Sequence, residues 1–87
     1  MTDSQLLSLF REALLYADSS KQPAADKMML TSTLADVGIE SIIALEMAAY
    51  IENKLDIQFP DDELSAIFTV SGFADLVRKY AVEQVAG

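Results

Sequence analysis

The sequence predicts an all-α fold, a four-helix bundle of three main helices and one short helix with a long first loop. Three observations point there. Apolar residues recur at helical spacing in three separate segments. Only 3 glycines and 2 prolines occur in 87 residues, whereas a small sandwich or barrel needs a turn roughly every 8–12 residues. Hydrophobic residues make up 52% of the chain against 23% charged, enough apolar surface to offset the chain entropy lost on ordering. A chain this short buries only about 60–65% of its unfolded surface, so residues 1–87 are expected to form one domain around one core.

The first helix is expected from about Ser4 to Asp18, because Leu6, Leu7, Phe10, Leu14 and Ala17 share one face. Thr2 and Gln5 have the spacing of a capping box ahead of it. From Ser19 to Glu40 the strong local signals are Pro23, the Thr31–Thr33 cluster and Gly38, so most of this stretch is expected to be loop. Met28, Met29, Leu30 and Leu34 would tether it to the core, the two methionines as gap-filling packing. A loop of this length in a small domain is often functional.

The second helix runs from Ser41 to Leu55. At about 100° per residue, Ala44, Met47, Ala48, Ile51 and Leu55 form its core face. Ile42, Leu45 and Ala49 form a second, narrower apolar stripe beside Glu46 and Asn53, with Leu45 reading equally as core or stripe. Pro60 followed by Asp61, Asp62 and Glu63 places acids on the first turn of a short helix ending near Ile67. Thr69 then caps a last helix whose Val70, Phe73, Leu76, Val77 and Tyr80 face inward and whose first turn is weakened by Gly72.

Absent residue types narrow the function. With no cysteine there is no disulfide framework, thiolate nucleophile or cysteine-ligated metal site, and with no histidine the usual general base near neutral pH is missing. A triad enzyme or zinc hydrolase is therefore not expected. The amino-terminal segment carries Asp3 and Glu12 and no basic run before its leucines, and the apolar stretch Ile42–Ile51 is interrupted by Glu46. No signal peptide, membrane insertion or span is expected, and the protein is placed in the cytoplasm as a monomer.

The net charge of −8 is concentrated in one third of the chain. Residues 36–63 hold eight acids against Lys54 alone, a net of −7, while residues 1–35 carry four acids and three bases and residues 64–87 two of each. Such a charge repels nucleic acid and anionic lipid. It serves either as a solvated face that keeps the protein soluble or as a landing surface for basic partners. Its position around the second helix favours the landing surface.

Ser41 taken alone reads as a plain helix N-cap. Its setting adds more: Asp36-Val37-Gly38-Ile39-Glu40-Ser41-Ile42 is a short glycine-containing loop, an acid and a serine that opens a helix. This segment resembles the phosphopantetheine attachment motif of the acyl carrier protein family. The similarity extends through Leu45-Glu46, Tyr50-Ile51-Glu52, the Ile57–Glu63 segment and Phe68-Thr69-Val70, covering roughly Leu6 to Tyr80.

The resemblance implies an acyl-carrier-like bundle that is not itself an enzyme. Ser41 would carry covalent 4'-phosphopantetheine, installed by a phosphopantetheinyl transferase, and the cofactor thiol would hold acyl groups as thioesters. The second helix would be the recognition element, with Ile42, Leu45 and Ala49 as its apolar ridge. Glu40 would lie at the transferase contact. Glu46, Glu52 and Asp56, together with Asp61 and Asp62, would face basic surfaces of acyl-loading, ketosynthase, acyltransferase or thioesterase enzymes. Family members usually have aspartate before the serine, where this chain has Glu40. Housekeeping fatty-acid carriers have a more acidic second helix, and aminoacyl carriers typically have paired glycines where this chain has only Gly38. The resemblance therefore points to a discrete carrier in a specialised polyketide or lipid pathway. The alternatives are a housekeeping fatty-acid or aminoacyl carrier, or an unmodified helical adaptor.

Overall fold

In the computed structural model, which describes the backbone of residues 1–86 and the side chains of residues 1–81, the capping box expected at the amino terminus is present. The Thr2 amide donates to Gln5 Oε1 at 2.8 Å and the Gln5 amide to Thr2 Oγ1 at 3.2 Å. This satisfies two exposed donors and starts α1 (Asp3–Ala17). Leu6, Leu9, Phe10, Ala13 and Leu14 are buried along it. Asp18 ends α1 and in turn accepts the Ser20 amide, opening a 3-10 turn over Ser19–Lys21.

The stretch expected to be mostly loop contains a further helix, α2 (Gln22–Lys27). Pro23 lies in its first turn, where a missing N–H is tolerated, so the proline that suggests a break helps begin a helix. Ala24 and Ala25 favour continuation, and Gln22 bonds Asp26 one turn on at 2.8 Å. Arg11 completes the end, donating from Nε to the Ala25 carbonyl at 2.9 Å and from Nη2 to the Met28 carbonyl at 3.2 Å. The helix count among the described residues is therefore five rather than four. Met28 is buried as expected, Leu30 and Leu34 are half-buried, but Met29 is exposed and tethers nothing.

The rest of that stretch caps another element. The amides of Val70 and Ser71, which open α5 (Val70–Ala86) and have no partners within it, donate to the carbonyls of Ser32 and Leu30 at 2.9 Å. Leu34 donates to the Phe68 carbonyl at 3.0 Å and Thr33 bridges to Thr69. Thr69 Oγ1 accepts the Gly72 amide at 3.0 Å, as its reading as a cap requires.

α3 (Ser41–Leu55) packs most extensively on α1, burying Met47, Ala48 and Ile51. It ends at Asp56, whose left-handed backbone (φ 55°) lets the Asp56 and Ile57 amides both reach the Glu52 carbonyl. α4 (Asp61–Ser65) is short and buries no residue, and it stops before the Ile67 boundary expected for it. Acids in its first turn oppose the positive end of its dipole.

Phe73 is the hub where these elements meet, its ring 4.9 Å from Phe10 and 6.2 Å from Phe59, which lies 6.1 Å from Tyr80. Val70, Phe73, Leu76 and Val77 are buried as expected and Tyr80 is half-buried. The first and last helices are fastened by Arg78, which pairs with Asp3 and donates to the Met1 carbonyl.

A second fastening joins α1 to α3. Glu12 accepts both the Tyr50 hydroxyl, at 2.6 Å, and the Lys54 ammonium. Lys54, then Tyr50, hold the Glu12 carboxyl below its ordinary value of 4.5. A depressed carboxyl stabilises the fold above its unfolded pKa and loses that contribution as pH falls through its folded one. The stability difference between wild type and Glu12→Gln should therefore be present at neutral pH and close as pH drops below about 4.5. Parallel urea titrations at pH 7 and pH 3 would check this, and a gap that widens in acid would refute it.

Candidate functional site

Ser41 stands where the long connection enters α3, and the preceding turn fixes its position. The amides of Val37, Gly38 and Ile39 donate to the carbonyls of Thr33, Ala35 and Leu34 at 3.4, 3.0 and 2.8 Å, and Asp36 donates to Thr33 Oγ1 at 3.0 Å. Val37 and Ile39 are buried on either side of Gly38, pinning the turn into the core. Gly38 adopts φ +69°, a conformation that costs other residues about 1–2 kcal/mol. A Cβ there would meet the flexible end of Lys21 at 3.3 Å, so backbone strain rather than space decides the outcome. Gly38→Ala should lower stability by about 1–2 kcal/mol, read as a loss of thermal midpoint; an unchanged midpoint would contradict the strained turn.

Ser41 is not the N-cap that its residue type suggests. The cap is Glu40, which is extended (φ −76°, ψ 167°), makes no side-chain capping bond, and accepts the Ala44 amide at 2.8 Å through its carbonyl. Ser41 is the first helical residue, exposed, and its hydroxyl has no hydrogen-bond partner among the described residues. The backbone amides of Ser41, Ile42 and Ile43 likewise have no acceptor there. These free donors at the positive end of a 15-residue helix suit a phosphate esterified to this hydroxyl.

A cleft of about 860 Å³ opens beside the hydroxyl. Leu34, Ile39, Ala44, Leu45, Leu64 and Ile67 form most of its apolar wall, Phe68 flanks it, and Thr33, Ser41, Asp61 and Ser65 supply its polar lining. No buried polar or charged residue occurs among the described residues. An apolar chain is suited to such a cleft, and a charged one is not. The sequence did not single out Leu64, Ile67 or Phe68 for this wall.

The other residues named from sequence fall into two groups. Ile42 (66% exposed) and Leu45 (56%) project outward with Glu46 and Ala49, which settles Leu45 as surface rather than core. Glu40 is exposed beside Ser41, and Asp56 is exposed at the far end of α3. Glu52 is half-buried and its carboxylate accepts the Phe59 amide at 2.8 Å, which secures the segment leading to α4. Glu63 is likewise occupied, by Lys79 at 2.6 Å and by Tyr80.

The charge pattern is sharper in three dimensions than in sequence. Arg11, Lys21, Lys54, Arg78 and Lys79 all bond elsewhere in the fold. Asp36, Glu40, Glu46, Asp56, Asp61 and Asp62 have no ion-pair partner among the described residues. No group of three or more potential metal ligands is found among those residues. No helix among the described residues is long and apolar enough to cross a membrane.

Comparison with known proteins gives a consistent result. A family model described as a phosphopantetheine attachment site matches residues 4–77. Among curated proteins, the non-reducing polyketide synthase tazA of Aspergillus terreus is 34% identical over 61 residues, 70% of this chain and 2% of the synthase. The 3-methylorcinaldehyde synthase of Sarocladium schorii is 35% identical over 46 residues, 53% of this chain and 2% of that enzyme. The similarity thus spans a very small part of each relative. No solved structure matches significantly.

Proposed function

We propose, from the premise that this chain belongs to the phosphopantetheine attachment family, that Ser41 is its attachment residue and that the carrier serves a polyketide-type pathway. The observation that carries the residue assignment is the free, exposed Ser41 hydroxyl on the first turn of α3, beside unpaired amides and the mouth of an apolar cleft. When bound, phosphopantetheine supplies a terminal thiol that holds acyl groups as thioesters, a group this cysteine-free chain lacks.

The chain's own part is to present and position. Ser41 offers its oxygen to the phosphorus of coenzyme A, losing its proton as the phosphodiester forms and adenosine 3',5'-bisphosphate departs. The α3 amides receive the phosphate charge. The turn held by Val37, Gly38 and Ile39 keeps the attachment point rigid.

Carrier domains of this kind work with synthase enzymes and are modified by a phosphopantetheinyl transferase. The polyketide assignment draws support from the named synthases to which the chain is similar. Six unpaired acids around Ser41 and α3 support docking on basic enzyme surfaces, with on-rates that fall as salt rises.

The test is the intact mass after incubation with coenzyme A, magnesium and a broad-specificity transferase. Gain of one phosphopantetheine is expected. A chain left unmodified by several transferases would favour an unmodified adaptor instead.

A further inference from the structure

The most exposed large apolar side chain among the described residues stands at the edge of the Ser41 cleft. Phe68 is 82% exposed, belongs to no buried cluster and makes no ring contact there. Its backbone is nevertheless held firmly. The Phe68 carbonyl accepts the Leu34 amide at 3.0 Å, Thr69 bridges to Thr33, and the Val70 amide donates to the Ser32 carbonyl at 2.9 Å. The ring therefore moves by its own side-chain torsions, which for an exposed residue turn over on the picosecond to nanosecond scale.

Two recesses flank this ring. Ile67 and Phe68 are shared between the cleft of about 860 Å³ and a hollow of about 500 Å³ that lies between α4 and α5. The hollow brings three charged residues, Glu63, Asp75 and Lys79, to its walls, whereas the cleft has Asp61 alone. Phe68 thus sits on the ridge between them, with the more aliphatic seat on the side of Ser41.

We infer that Phe68 is a specificity-determining residue of this carrier: its ring closes over an alkyl acyl chain lodged in the cleft, so that alkyl cargo is sheltered and short, carboxylated acyl groups are not. The inference rests on the carrier reading for what the cleft receives. Ser41 itself lines the cleft, so a group carried on its hydroxyl stands at the mouth. Closure over an alkyl chain buries ring and chain against each other, a gain that scales with the apolar area covered.

A carboxylated group gains nothing comparable. Thr33 Oγ1 already accepts the Asp36 amide and Ser65 Oγ already donates to the Asp62 carbonyl, at 3.0 and 3.1 Å. Asp61, which has no ion-pair partner among the described residues, repels a second carboxylate. Such a group would leave water without finding compensating donors, and it stays outside.

The test loads the whole chain from octanoyl-coenzyme A or malonyl-coenzyme A with a broad-specificity transferase and follows side chains by NMR. The octanoyl group should shift the Phe68 ring and the Leu64 and Ile67 methyls, and the malonyl group should leave them in place. Phe68→Ala should speed hydroxylamine cleavage of the octanoyl thioester about fivefold, with Phe68→Leu within about twofold of wild type. The malonyl thioester should be cleaved at one rate in all three proteins. An unmoved Phe68 ring, equal octanoyl cleavage in wild type and Phe68→Ala, or equal acceleration of both thioesters overturns the inference. Loading is scored separately by intact mass. If no cofactor is gained, the carrier reading fails and free 1-octanol on the unmodified chain decides: a shifted Phe68 ring and about fivefold weaker binding by Phe68→Ala uphold the closing ring, and no shift or equal binding overturns it.

Discussion

Ser41→Ala should take up no phosphopantetheine while folding as well as the wild type. The two halves of this result have different physical origins. Loss of uptake is complete because the proposed reaction needs an oxygen to bond to phosphorus, and alanine has none. Stability is retained because Ser41 is exposed, occupies the first helical position rather than the cap, and makes no side-chain hydrogen bond among the described residues. A true serine cap would cost about 1 kcal/mol on replacement, whereas a change at an exposed, unbonded site stays within about 0.5 kcal/mol. Intact mass and urea denaturation on the same preparation measure both halves. Undiminished uptake by Ser41→Ala would move the attachment to another hydroxyl, and a large loss of stability would contradict the geometry of the helix start.

Phe73→Ala should bring the fold close to unfolding, with a loss of about 3–5 kcal/mol. Its side chain is 1% exposed and links α1 through Phe10 to the segment before α4 through Phe59. Truncation removes both contacts and leaves a cavity that three elements would have to collapse to fill. A domain of this size has a total stability of only about 5–10 kcal/mol. The matched control is Phe68→Ala, the same deletion five residues earlier at a side chain that is 82% exposed, where the loss should stay within about 0.5 kcal/mol. Equal losses at the two positions, measured by urea denaturation, would contradict this burial pattern.

Much of the fold was legible because its signals are local. The Thr2–Gln5 capping box, the core face of α3 and the inward face of α5 each lie within one or two helical turns, and period and cap chemistry suffice to find them. α2 was hidden because Pro23 carries opposite meanings in the first turn of a helix and in its interior, and the residues before it do not decide between them. The capping of α5 by Leu30 and Ser32 was hidden for another reason: those bonds join residues about forty positions apart. A long polar stretch looks unassigned until its partners are known.

The site divides in the same way. The motif around Ser41 and the exposed stripe of Ile42, Leu45 and Ala49 are properties of one turn and one helix. Glu52 looks outward by residue type, yet the chain returns Phe59 to its carboxylate. Phe68 sits just before a helix cap, with Phe73 four residues into the helix, a spacing that ordinarily folds the first ring onto the second. Here its carbonyl is engaged by Leu34 and the ring projects beside the cleft. Only tertiary placement separates these outcomes.

The most direct test of the central claim is peptide mapping by tandem mass spectrometry of the wild-type chain after transferase treatment. The account predicts one phosphopantetheine, on the peptide containing Ser41, with Ser32, Ser65 and the other hydroxyl residues unmodified. Modification at any other hydroxyl would contradict the assignment of the site, and no modification under conditions that load an established carrier would contradict the carrier function itself.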